Sequence, residues 1–152
     1  MKNLYIKLTV ALLFLFSTGL NAQTLSAGDI AFVQYNADGP EIIKFLALND
    51  IPSGEVINFT DNGWFSSNTF RTGEGTYTWT SPGVLCGEIV TIDLSGPALS
   101  GSGDQLLAYQ GPSSNPTFIT ALNSEGSGWQ STATSSNTSA LPQGLTDGLN
   151  AV

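Results

Sequence analysis

The chain has 152 residues with four Lys and Arg against twelve Asp and Glu, no His and a single Cys. That inventory excludes an internal disulfide, a Ser-His-Asp or Cys-His catalytic arrangement, and zinc sites built from the usual nitrogen and sulfur ligands. A net charge of −8 also makes nucleic acid a poor partner, because phosphate binding needs clustered cations.

Residues 1–22 have the pattern of a secretory signal peptide. Lys2 and Lys7 precede an apolar run over residues 8–16, and Ala22 closes a small-residue cleavage site ahead of Gln23. Cleavage there leaves Lys44 and Arg71 against twelve carboxylates, a net charge of −10, which disfavours anionic membranes as well. No later stretch approaches the roughly 20 apolar residues a membrane helix needs, so no membrane insertion is expected and the mature chain is expected to be secreted or held at the cell surface. The sole cysteine, Cys86, lies far from the cleavage site and so is not a lipid-anchored N-terminal cysteine; it is expected as a small buried side chain at a strand edge. About 130 residues remain, enough for one domain with a core. After a short lead at residues 23–27, residues 28–152 are expected to form it.

The pattern from residue 28 onward is a succession of short strands with turn signals between them and no helical periodicity. Residues 28–35 (GDIAFVQY) give the first strand, and Asn36-Ala37-Asp38-Gly39-Pro40 a turn. Residues 41–48 give a second strand, apolar on both faces from Ile42 onward except for Lys44, which predicts a central position. Ile51-Pro52-Ser53-Gly54 has the look of a type I turn, with Pro second and Gly fourth. Val56, Ile57 and Phe59 then begin a third strand, and Tyr77 and Trp79 alternate with Thr76, Thr78 and Thr80 in a fourth. Further strands are predicted over residues 88–93, 105–109 and 117–122. Beyond Asn123 the chain is rich in Ser, Thr, Asn and Gly as far as Asn137, with Trp129 its one large apolar residue, and that stretch is expected to be a surface excursion. Seven such strands predict an all-β antiparallel sandwich with Ile30, Phe32, Phe45, Ile57, Phe59, Tyr77, Trp79, Val90, Ile92, Leu107 and Ile119 inside.

GDIAFVQYNADG, DIPSGEVINFTDNGW, FRTGEGTYTWTSPG and SGSGDQLLAYQG together resemble a domain found near the N-terminus of secreted and surface proteins of Bacteroidota and some cyanobacteria. The resemblance covers residues 28 to about 129. More distantly, the order of strand, Asn-bearing turn, Gly-Trp, Pro-Gly turn and Gly-Asp strand is similar to the lamin-tail immunoglobulin-like domain. The first resemblance implies a non-catalytic module on larger exported proteins, with a structural or interaction role and no catalytic residue to transfer. The closing segment LPQGLTDGLNAV looks like the approach to a further strand, so the chain is expected to be a piece of a longer protein.

Candidate sites follow from residue type. The connection between the third and fourth strands carries Trp64, Phe65 and Phe70, with Arg71 and Glu74 as polar neighbours. It is long and aromatic enough either to present a flat platform for a glycan or peptide partner or to cap one end of the sandwich; capping is the favoured expectation. Asn36 with Asp38, and Asp61 with Asn62, each resemble half of a calcium loop, although tight turns require the same residues. A carboxylate hydrolase would need two of Glu41, Glu55, Glu74, Glu88 and Glu125 brought together, and nothing in the sequence does so. No enzyme activity is therefore expected.

Overall fold

The computed structural model describes residues 25–152, so the signal-peptide expectation lies outside the described residues. Seven strands follow one another: β1 Ile30–Asn36, β2 Ile42–Ala47, β3 Val56–Thr60, β4 Thr76–Thr80, β5 Ile89–Asp93, β6 Gln105–Gln110 and β7 Thr117–Asn123. They form two antiparallel sheets, ordered β1-β2-β5 and β4-β3-β6-β7. The all-β sandwich expected from the alternation is thus the fold. β2 is the middle strand of its sheet, as its apolar faces require. No helix among the described residues is long and apolar enough to cross a membrane.

The inner faces of the two sheets meet in a first core. Ile43, Phe45 and Ala47 of β2 face Ile57 and Phe59 of β3 and Leu106 and Ala108 of β6, all fully buried. Phe45 and Phe59 stack with ring centroids 5.9 Å apart. Burying each of these rings contributes roughly 2–3 kcal/mol. Phe32, Tyr77, Trp79 and Val90, expected inside, pack against this core but remain partly exposed. For Tyr77, Trp79 and Val90 the reason is position, since β4 and β5 are edge strands.

A second core was not expected. It lies on the outer face of the four-stranded sheet and comprises Trp64, Leu107, Tyr109, Phe118, Ala121, Ala140, Leu145 and Ala151. Leu107 therefore belongs here and not between the sheets. Up to Asn137 the Ser- and Thr-rich stretch after Asn123 buries only Ala133, but beyond it Thr138, Ser139, Ala140 and Leu145 are buried where the chain folds back over β6 and β7. Its last residues lie beside β7 in parallel, with Ala121 N donating to Asn150 O and Val152 N donating to Ala121 O. All six residues of β6 are buried, because this strand has a core on each face.

Two local expectations need correction. The turn ahead of β3 closes with Glu55 N donating to Pro52 O at 3.3 Å, and Gly54 supplies a φ of +91°. It is displaced by one residue from the expected turn, and its positive φ is what the glycine is for. Cys86 is exposed, because it sits in the tight turn leading into β5. There its amide donates to Asp50 Oδ1 and its thiol to Leu48 O.

Candidate functional site

The connection from β3 to β4, residues 61–75, is a secondary hairpin that folds across the outer face of the sheet. Arg71 N donates to Gly63 O at 2.7 Å and Phe65 N to Thr69 O at 2.9 Å, with Asn68 at a φ of 59° in the tip. Trp64 is 1% exposed. Its ring meets Phe70 and Phe118 edge-on, each at a centroid distance of 4.8 Å. The C-terminal segment clamps its backbone: Trp64 N donates to Ser139 Oγ at 2.9 Å, while Ala140 N and Ala133 N donate to Trp64 O. Gly63 permits this approach, since any side chain there would run into the Thr138 carbonyl. Trp64 is therefore no member of an exposed platform; the sheet's apolar outer face draws it in. Phe65 and Phe70 are half-buried, so the three rings do not form one displayed surface.

The residues proposed for calcium are engaged with their own backbone. Asn36 Oδ1 accepts from Asp38 N, and its Nδ2 donates to Asp38 O and Pro40 O, which seals the β1–β2 turn. Asp61 Oδ1 accepts from Gly75 N at 2.8 Å and Oδ2 from Ala98 N at 2.7 Å. Asn62 Oδ1 accepts from Glu74 N, and its Nδ2 donates to Thr60 Oγ1 and Gly75 O. Asp61 and Asn62 therefore fasten the hairpin's return to β4, while Asp38 stays exposed on a different turn. Among the described residues no three acidic or thiol side chains converge in a way that would hold a metal ion.

Acidic groups gather at this end of the sandwich. Asp104 Oδ2 accepts from Ser100 N and Oδ1 from Gln105 N, yet burial, reinforced by the charges of Asp61 and Glu41, pushes its carboxyl up to about 6. Burial also raises Asp61. Glu41 Oε2 is buried without a hydrogen-bond partner, as is the Tyr35 hydroxyl beside Ser124. Glu41, just after the β1–β2 turn, thus has one carboxylate oxygen withheld from solvent. Gln105, fully buried, ties the loops together by donating from Nε2 to the backbone carbonyls of Asp61 and Ser136.

Where the second core stops at Phe70, a cleft of about 230 Å³ opens. Its floor is the outward row of β4, β3 and β6, where Thr76 pairs with Thr60 and Asn58 with Tyr109. Arg71, Thr72 and Glu74 line it from the hairpin and Ser113 from the turn after β6. Burial, with the negative charges of Asp61 and Asp104, pushes the Glu74 carboxyl up to about 7, and the Arg71 guanidinium is the weakest influence on it. Glu74 Oε2 has no hydrogen-bond partner, so Arg71 does not pair with that oxygen.

Comparison with family models, with curated proteins and with solved structures found no match for this chain. The site therefore rests on its own geometry. Of the ligand-binding candidates, Phe70, Arg71 and Glu74 come together in the cleft, Trp64 lies behind it in the core, and Phe65 is not among its lining residues. Thr60, Thr76, Tyr109 and Ser113 were missed. The alternation of β3 and β4 already put both threonines on one outward face, but only strand order brings β6 beside them.

Proposed function

We propose that this chain is an exported, non-catalytic β-sandwich module that acts through contacts, of the kind carried near the N-terminus of secreted and surface proteins of Bacteroidota, with an immunoglobulin-like sandwich of the lamin-tail type. The observation that supports a contact role is how its acids are used. Both oxygens of Asp61 and both of Asp104 accept backbone amides, and Glu88 Oε2 likewise accepts from Leu85 N. A carboxylate held by amides tethers a loop, and it is poorly placed to trade protons with a substrate.

The test takes protein exported by cells. Intact mass is expected to place the mature N-terminus at Gln23, and a panel of fluorogenic glycosides and esters is expected to show no turnover above the blank. Retention of Lys2 and Lys7 would refute export by signal cleavage. Turnover that disappears in Glu41→Gln or Asp104→Asn would refute the non-catalytic reading.

A further inference from the structure

We propose that the cleft beside Phe70 is a binding site for one neutral sugar residue, an inference that rests on the contact-module reading. Three observations carry it. The first is size: about 230 Å³, open to solvent, lies just under the range of ordinary small-molecule pockets and admits a single ring.

The second is which polar groups remain free. On the floor, Thr60 Oγ1 donates to Gly75 O at 2.5 Å and accepts from Thr76 Oγ1 at 3.0 Å, so these hydroxyls are spent on the fold. The groups left to a ligand stand on the walls: the Arg71 guanidinium, Oε1 of Glu74, whose Oε2 is buried, and the exposed hydroxyls of Thr72 and Ser113. A donor fork beside a carboxyl suits vicinal hydroxyls, each of which both donates and accepts. Burial keeps the Glu74 carboxyl partly protonated near neutral pH, so it too serves in either sense.

The third is the surrounding chemistry. Phe70 and Tyr109, 5.1 Å apart, give the cleft an aromatic side on which the apolar face of a pyranose can rest. An anionic ligand would meet the field of Asp61 and Asp104 that acts on Glu74 and a mature charge of −10. A cationic ligand would meet Arg71. A neutral polyol with one apolar face meets neither penalty.

The experiment is a glycan array carrying neutral and uronate-bearing glycans, probed with multivalently displayed residues 23–152 and followed by titration of the hits. Neutral glycans are expected to bind. Arg71→Gln is expected to weaken them about tenfold or more, as loss of a charge-assisted hydrogen bond does, at an unchanged thermal midpoint. Glu74→Gln keeps both a donor and an acceptor and is expected to bind within about threefold of the parent. Should Arg71→Gln melt early, Ser113→Ala, on an exposed turn, carries the same arm. Binding of uronates alone, binding indifferent to both Arg71→Gln and Ser113→Ala, or no neutral glycan bound at millimolar concentration would overturn the proposal. A silent array with no turnover leaves the contact-module reading standing, whereas glycoside turnover refutes that reading instead.

Discussion

Replacing Trp64 by Ala tests the second core directly. The indole is 1% exposed and meets two aromatic neighbours, Phe70 and Phe118, edge-on at 4.8 Å. Truncating a buried Trp costs about 3–5 kcal/mol through lost transfer energy and the cavity left behind. The upper half of that range is expected here, because each edge-on pair adds roughly 0.5–1.5 kcal/mol. Relaxation is restricted, since the backbone at Trp64 is held by Ser139, Ala140 and Ala133 and so cannot collapse into the space. For a domain of this size ~1 kcal/mol moves the thermal midpoint by about 4 °C, so a loss of about 4–5 kcal/mol gives a fall of roughly 16–20 °C. Thermal melts with parallel urea titrations supply the assay, and an unchanged m-value would tie the loss to the native state. A fall under ~3 °C would refute the reasoning, since it would mean that the hairpin over residues 61–75 and the segment over residues 129–151 are not fastened to the sheet through this ring.

Three further outcomes are expected. Gly63→Ala should destabilise by about 2 kcal/mol or more, because the new methyl collides with the Thr138 backbone carbonyl; a neutral result in urea would show that this approach is not maintained in solution. Trp79→Ala should cost only about 2 kcal/mol, less than Trp64→Ala, because Trp79 is half-buried on edge strand β4, with Thr78→Ala under ~1 kcal/mol. Equal losses at Trp79 and Trp64 would contradict the burial pattern. The pH dependence follows from the raised acids: Glu74, moved from 4.5 to about 7, and Asp104, from 3.8 to about 6, hold protons in the folded state that the unfolded chain has released. Stability is therefore fullest below the unfolded values and is lost as pH rises through 6 and 7, so the midpoint should fall from pH 5 to pH 8. Glu74→Gln should flatten that slope, and a midpoint that climbs over the same interval would refute the assignment.

The sequence alone determined the strands and the inner faces of β2, β3 and β4, but not that of β6, where Leu106 and Ala108 rather than Leu107 face inward. Period-two alternation marks Ile57 and Phe59 in β3 and Tyr77 and Trp79 in β4 as facing one way, and that is a property of the extended backbone itself. It also marked the β1–β2 turn, where Gly39 takes a φ of +81°, but placed the turn at Gly54 one residue early. The balance of charge and the lack of His bounded the chemistry without any fold. The tertiary structure decided whatever depends on which strands are neighbours. Nothing local to Trp64 distinguishes a displayed ring from a buried one; it is buried because β6 and β7 lie side by side with apolar outer faces and the C-terminal segment supplies Ser139 and Ala140 to close over it. The cleft has the same origin. Arg71 and Glu74 were visible as polar neighbours of an aromatic loop, but Tyr109 and Ser113 reach them only because β6 pairs with β3, a contact between residues some fifty positions apart that no local pattern encodes. Hydrophobic alternation says which side of a strand seeks cover, and long-range pairing alone settles what provides it.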